Sequence, residues 1–474
     1  MLAILGLAQL MVVLDGTIVN IALPSAQQSL AFSDESRQWI VTAYALSFGS
    51  FLLLGGKIGD LFGRKLTFIA GLIGFAVVSA VGGAAQNFET LVAARALQGV
   101  FGAMLAPAAL SLLTTTFTVP AERAKAFGIF GAIAGSGAAA GLLLGGLLTE
   151  YLNWRFCLYV NLAIAVPAAA GAWALLHNQP HPSRPRLDFP GAITASAGLF
   201  SLVYGFSHAE TTSWANTLTI VALAASVVFL SVFAWLQTRV EHPLLPLRVV
   251  LDRNRGGAYL AVAIAGAGMF GVFLFLTYYL QLTRGMSPIM TGLAFMPMVA
   301  AIMVSATTAT AKLVPRFGPR PLITAGMLIA AGGLVLLTGV GVDTAYASHV
   351  LPGLILTGVG MGWIMAPAMN TATSGIDRAD AGVASAMVNT GQQIGGSIGT
   401  ALLSTIVSSA VASYLASHTQ SAAGAAADQA AVHGYTVAFW WSAGIFLVGS
   451  VICGLLIRPG VPQLDPAAEP AIAH

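Results

Sequence analysis

Asp15 is the first residue that demands an explanation. It lies inside an apolar run from about residue 2 to Pro24, where a carboxylate costs roughly 2.5–3.5 kcal/mol on insertion scales and is functional by default. Of the chain's 17 acids, nine fall in loops or tail on one side, seven on the other, and Asp15 alone within a span. Arg95 is the matching base, inside the run 90–114. At ~1.5 Å per residue, Asp15 lies ~13 Å below the end at Pro24 and the Arg95 backbone ~8 Å below the same surface. An arginine side chain bridges that difference. A carboxylate beside a guanidinium can change protonation as its access to water alternates, which is what a proton carrier needs. A structural Asp–Arg pair that never titrates is the alternative.

A second constellation is the loop Gly56-Lys57-Ile58-Gly59-Asp60-Leu61-Phe62-Gly63-Arg64-Lys65. Its glycines permit a tight turn, Asp60 can cap or pair with a helix end, and Arg64 with Lys65 supplies positive charge. A third is the small-residue stripe Gly137, Gly141, Gly145 with Gly146, which suits close helix contact.

The elements that must position these residues are membrane helices. The chain has 474 residues, 57% hydrophobic and only 8% charged, too few charges to cover a soluble fold of this size. Secreted scaffold, nucleic-acid binder and ordinary cytosolic enzyme are excluded. Fourteen apolar runs fall near 2–24, 39–55, 66–85, 90–114, 126–149, 155–176, 189–208, 215–238, 256–282, 290–311, 320–340, 348–372, 382–412 and 433–457. With the N-terminus inside, 16 of the 20 Lys and Arg lie in inside loops or tail, three outside and Arg95 in a span. Positive charge stays inside, so both termini are expected in the cytoplasm.

The chain also repeats itself. Gly137, Gly141 and Gly145 recur as Gly391, Gly395 and Gly399; Lys57 and Gly63 recur as Lys312 and Gly318; Ala106-Pro107-Ala108 recurs as Ala366-Pro367-Ala368. Two homologous six-helix halves are expected at 1–176 and 256–474, with a linker and two extra helices at 177–255. Parallel repeats of this kind build transporters that rock two bundles about a midplane site. His177 to Asp188 reads as a stiff Pro-rich connector, Ser417 to His433 as a loosely specified outer loop, and the tail after Arg458 as disordered.

The Gly56–Lys65 loop, echoed in the second half, resembles the signature loop of the major facilitator superfamily. Leu14-Asp15-Gly16-Thr17-Ile18-Val19-Asn20-Ile21-Ala22-Leu23-Pro24 resembles the first-helix motif of its fourteen-span drug:proton antiporter branch. Arg95-Ala96-Leu97-Gln98-Gly99 is similar to the fourth-helix motif tied there to proton coupling, Gly137 to Gly146 to the fifth-helix antiporter motif, and Trp154-Arg155 with Asn161 to the start of span six. The resemblance implies an all-α polytopic fold of two pseudo-symmetric six-helix bundles plus two extra helices. It implies proton-coupled efflux of lipophilic small molecules, with Asp15 as carrier, Arg95 as modulator and the loop and stripe as conformational elements. Three departures stand out: Leu142 replaces the family's usual proline, Pro315 stands where Asp60 does in the first copy, and spans nine to fourteen hold no acid. The last argues against a purely dicationic substrate.

By the same analogy the cavity would be lined by Asn20, Tyr44, Phe48, Gln98, Tyr278, Gln281, Asn389, Gln392 and Gln393, with Met361, Trp363 and Met365 beside them. Met and aromatic walls adapt to varied ligands. A dedicated exporter of one native metabolite is the rival reading, and a non-transporting sensor a weaker one. The expected partners are a small lipophilic substrate, protons and the lipid bilayer of an inner (plasma) membrane, with no nucleic acid and a monomeric chain. No enzyme activity, cofactor or metal is expected: Cys157 and Cys453 stand far apart and no nucleophile–base set appears.

Overall fold

The first helix is longer than its sequence suggests. In the computed structural model, α1 spans Leu2–Leu30 and passes through Pro24 without ending. Asp15 therefore lies ~20 Å from either end of α1, not near one of them. A proline inside a helix forfeits one backbone hydrogen bond, which packing against neighbouring helices makes tolerable at membrane depth; Pro24 is buried. The structure describes residues 1–33, 36–37, 39–117, 120–176, 188–241, 243–373, 381–417 and 423–460. The connector at 177–187 and the tail from 461 lie outside them.

The first bundle continues with α2 (Trp39–Phe62), α3 (Arg64–Gly83), α4 (Phe88–Thr116), α5 (Pro120–Tyr151) and α6 (Phe156–Leu175). A hairpin follows, α7 (Phe189–Thr211) and α8 (Thr217–Gln237), then the single turn α9 (Leu247–Val250). The second bundle opens with α10 (Arg253–Tyr278), which runs on through a π turn at Tyr279–Thr283. Next, α11 (Pro288–Thr308) passes through a second π turn into the short α12 (Val314–Phe317). It closes with α13 (Pro319–Leu337), α14 (Leu351–Thr373), α15 (Ala381–Ser417) and α16 (Ala423–Leu456). Among the described residues, fourteen helices are long, as the apolar runs require, and no strand occurs. Twelve are long and apolar enough to cross a bilayer, and α2 adds a shorter apolar stretch at Trp39–Leu52.

The outer loop expected at Ser417–His433 is instead mostly helix, because α15 reaches Ser417 and α16 begins at Ala423. That stretch is rich in alanine, the strongest helix former, though too polar to read as a span. Side-chain caps fix several starts: Asn87 accepts from the Thr90 N–H at 2.9 Å, Asp188 from Gly191 at 2.8 Å, and Asp252 from Arg255 at 3.0 Å.

Sequence repetition becomes repeated packing. A Cβ on Gly141 would collide with Thr17 of α1, and one on Gly145 would come within 3.0 Å of the Ile18 carbonyl. In the second bundle, a Cβ on Gly395 would collide with the Ala263 carbonyl of α10, and one on Gly399 would reach 2.6 Å from Ala267. The stripes thus press α5 onto α1 and α15 onto α10 in the same way. The repeated turn is equally specific: Gly63 has φ 94° and Gly318 φ 76°, a region that penalises any side chain.

The α7–α8 hairpin lies across the seam between the bundles. Its core of Ala192, Ala195, Phe233, Leu244 and Leu245 is joined by Leu54 from α2 and by Val383 and Met387 from α15. Ser196 donates to the Ser50 carbonyl at 2.7 Å. Gln237 locks the hairpin base by donating to Asp188 at 2.7 Å and accepting from the Leu245 N–H at 2.8 Å. The opposite face of α8 exposes Val227, Val228 and Trp235, a surface suited to lipid.

Candidate functional site

Four helices gather around Asp15 of α1. Arg95 on α4 donates from Nη1 to Asp15 Oδ2 at 2.6 Å. One turn further on, Gln98 donates to Asp15 Oδ1 at 3.1 Å and accepts from Arg95 at 2.8 Å; the i,i+3 spacing puts both on one face of α4. Asn161 on α6 donates to Asp15 Oδ1 at 2.7 Å. Ser79 on α3 accepts from Gln98 at 2.6 Å and from Asn161 at 3.3 Å. From α2, the Ile40 carbonyl accepts from Arg95 Nε at 3.3 Å, and the Tyr44 ring lies 4.5 Å from the guanidinium carbon. Tyr44 is itself stacked on Phe48 at 5.8 Å and set edge-on to Phe75 at 6.4 Å.

Burial makes this cluster consequential. Asp15, Ser79, Gln98 and Asn161 are 0% exposed and Arg95 2%. Every donor aimed at Asp15 satisfies a charged carboxylate, and the paired guanidinium balances it. Deleting one member of such a buried pair typically costs 3–5 kcal/mol, because the survivor stays buried and uncompensated. The arrangement therefore ties α1 to α4 and α6 through one buried side chain.

The glycine stripe sets where Asp15 sits. Gly137 faces Leu10 and Val13, Gly141 faces Leu14 and Thr17, and Gly145 faces Ile18 and Ile21, so α5 lies flat against the stretch of α1 that carries the acid. Gly146 points elsewhere. A Cβ there would meet the Ile289 backbone of α11 at 2.5 Å, making it a contact between bundles.

Other bundle-to-bundle contacts gather on the same side, the face opposite the chain's first residue. There Gln281, in the π turn after α10, donates to the Ile21 carbonyl at 3.1 Å, and Glu150 accepts from the Ile289 N–H at 3.1 Å. The Arg37 guanidinium lies 3.8 Å from the Tyr278 ring centre. These contacts hold the distal half of the seam together.

Residues expected to line one cavity separate into several places. Gln98, Tyr44 and Phe48 belong to the buried cluster around the ion pair. Asn20 is buried on α1 and donates to the Gly16 carbonyl at 3.3 Å. Tyr278 and Gln281 sit at the distal seam. Gln393 faces Gly49 of α2 at mid-seam, the neighbouring Gln392 backbone abuts Gly266 of α10, and Asn389 is exposed. Trp363 packs instead on the cluster of Ala309, Val314 and Leu322 beside α13, while Met361 and Met365 join the main core. The expected Gly56–Lys65 loop is helical but for one residue: Gly56 to Phe62 end α2, Arg64 opens α3, and the turn is made at Gly63 alone; the side chains of Lys57 and Asp60 lie outside the described residues. Lys65 donates to the Trp173 carbonyl at 2.9 Å, tying α3 to the end of α6, and Arg64 is half-buried at the first turn of α3. Gly56 has room for a side chain, whereas Gly55, passed over in the sequence, abuts the Ala103 backbone of α4.

Sequence reasoning missed Ser79 as part of the cluster, and it knew Asn161 only as part of a motif. A lone serine in an apolar helix carries no signal until its neighbours are known.

Comparison with known proteins agrees with this architecture. The model of the Major Facilitator Superfamily matches residues 5–400. The chain is 50% identical over 473 residues to the puromycin resistance protein pur8 of Streptomyces alboniger, covering 99% of this chain and 93% of the relative. It is 37% identical to the cephamycin export protein CmcT of Amycolatopsis lactamdurans, covering 82% and 81%. Identity to the tetracenomycin C resistance and export protein of Streptomyces glaucescens is 32%, covering 82% and 72%. Among solved structures, the POT family transporter PepTSo superposes with a TM-score of 0.71 at 15% identity, covering 96% and 97% of the two chains. A bacterial homolog of the human lysosomal transporter Spinster, inward-facing and unoccupied, gives 0.68 at 16%, covering 96% of each. At such identities these two establish the fold alone. A multi-pass membrane protein with two repeated bundles, matched over most of its length, this chain belongs to the major facilitator superfamily.

Proposed function

We propose that this chain exports lipophilic small molecules, antibiotics among them, in exchange for protons, across an inner (plasma) membrane with both termini in the cytoplasm. The Lys and Arg bias supports that orientation, and it makes the distal face the external one. Drug export is supported by relatives named for resistance to, or export of, puromycin, cephamycin and tetracenomycin C. Proton coupling rests on one observation: a carboxylate fully buried in α1, held by Arg95, Gln98 and Asn161.

The sequence of events follows from that geometry. With Asp15 charged, α1, α4 and α6 are drawn together around it. A proton taken up by Asp15 removes the attraction to Arg95, whose charge then rests on Gln98, the Ile40 carbonyl and the Tyr44 ring. The bundles rock, the proton leaves to the cytoplasm, and substrate moves out. One charge crossing 100 mV supplies ~2.3 kcal/mol, enough for roughly a 50-fold substrate gradient.

The test is transport in proteoliposomes with an imposed pH gradient, with puromycin as the first substrate. Asp15→Asn should abolish uphill movement yet keep downhill counterflow. Wild-type pumping by that variant would remove Asp15 as carrier. A dedicated exporter of one compound is favoured by relatives each named for a single antibiotic. Competition in everted vesicles separates the two, because a dedicated pump ignores most added lipophiles.

A further inference from the structure

The repeat makes the two edges of the seam equivalent. Its glycine stripes match α5 with α15, and its turns at Gly63 and Gly318 match α2 with the segment from α11 to α12. The α2–α15 edge should therefore resemble the α11–α5 edge, and it does not. Where α5 meets α11, the contacts are distal. A Cβ on Gly292 would lie 2.5 Å from the Leu142 carbonyl, and Glu150 accepts from the Ile289 N–H at 3.1 Å. Met303 and Thr307 lie within about 60° of Ile289 and Gly292 around α11, and so continue the same face toward the proximal side. There the face is uncovered: Met303 is 46% exposed, and Thr307 is exposed as well. This edge is shut distally and open proximally.

The α2–α15 edge is shut from mid-membrane to the proximal side. A Cβ on Gly49 would lie 3.4 Å from the Gln393 Cβ. Further toward the proximal side, Leu54 of α2 and Val383, Ala386 and Met387 of α15 pack on one core, that of the α7–α8 hairpin. The hairpin is what sets the two edges apart. Its helices are pressed together, since Cβ atoms on Gly198 and Gly205 would lie 2.8 and 2.7 Å from Leu230 and Leu223. It grips α2 at three depths: the Tyr204 and Trp39 rings lie 6.0 Å apart, Ser196 donates to the Ser50 carbonyl at 2.7 Å, and Leu54 joins its core. From Trp39 to Leu54 is ~22 Å of helix, most of the ~30 Å hydrocarbon thickness. Its base belongs to the second bundle. Leu245 and Val250 share its core, and Arg255 of α10 donates to the Val249 and Arg248 carbonyls, both at 3.2 Å, which binds α9 onto α10.

We propose that the hairpin is a strap that makes α2–α15 the hinge edge of the seam, so that the bundles part and close along α5–α11. A strap held by both bundles resists separation at its own edge, because contacts at several depths would have to break together. At α5–α11 the contacts lie on one side only and can be exchanged for others as the bundles rock. The inference rests on the rocking that the export reading requires, and not on Asp15 as carrier.

Two cysteine pairs in the full chain, each bridged by a flexible bis-methanethiosulfonate, test it; the native Cys157 and Cys453 are buried. Leu54→Cys with Met387→Cys ties the strapped edge at two partly exposed positions, and Glu150→Cys with Ile289→Cys ties the other edge. Each bridged protein is compared with its own unbridged form. One readout is puromycin export in proteoliposomes; the other is hydrogen exchange in the distal half of α1, which needs no substrate. The Leu54–Met387 bridge should change either readout by less than about twofold, and the Glu150–Ile289 bridge should slow both by about tenfold or more. A Leu54–Met387 bridge that stops export or exchange, or that does not form, overturns the hinge. So does export or exchange that survives the Glu150–Ile289 bridge. If neither unbridged protein moves puromycin, the export reading fails, and exchange still decides the hinge.

Discussion

The two bundles share a backbone plan and differ in what it carries. In the first, the α5 glycine stripe presses onto α1 beside Asp15; in the second, the α15 stripe presses onto α10 with the same intimacy. Around α1 the reward is a fully buried cluster of an acid, a base, two amides and a hydroxyl. α10 itself buries Phe273, Leu274, Phe275 and Leu276 in the main core, and among the described residues of the second bundle no acid or base is buried. Repetition therefore dictates how helices approach, and single residues decide which half buries a charged pair.

The comparison breaks most sharply at Arg95. Arg95→Gln should destabilise the protein by about 3–5 kcal/mol, since it strands a buried carboxylate. Thermal unfolding in detergent would show the loss, and adding Asp15→Asn should recover much of it. If the single variant unfolds like the wild type, the pair is not the buried ion pair described here.

Gly141→Ala and Gly395→Ala sharpen the same contrast at smaller cost. Each added methyl would meet a facing helix, so each should lower stability by about 1–3 kcal/mol. Only Gly141→Ala, set against Leu14 and Thr17, should also change the number of protons moved per substrate. An equal change from Gly395→Ala would mean that coupling is spread over both bundles.

Gln281→Ala should have the smallest effect, about 1 kcal/mol for one hydrogen bond across the seam. It should favour opening of the distal side, read as faster labelling of a cysteine placed at Asn20. Unchanged labelling would make the Gln281–Ile21 contact incidental to closure.

The ion pair was legible in the sequence because a lone charge in an apolar run has no cheaper explanation. The repeat was legible because glycines at fixed spacing survive where other residues drift. The end of α1 was not: Pro24 reads as a terminator, and only burial by neighbouring helices lets the helix continue. Nor was the division of the cavity residues, because Met and aromatic side chains look alike in sequence whether they face a ligand, as Trp363 was expected to, or a neighbouring helix, as it does. Ser79 and Gln98 needed three-dimensional neighbours before their role could be seen.

The most direct test is proton release on substrate binding, followed with a pH indicator in weakly buffered detergent solution. Wild-type protein poised with Asp15 protonated should release protons as puromycin, or whichever lipophile it exports, is added, and Asp15→Asn should bind the same compound without releasing any. Equal release from both proteins would contradict the claim that this buried carboxyl group is where the two cargoes meet.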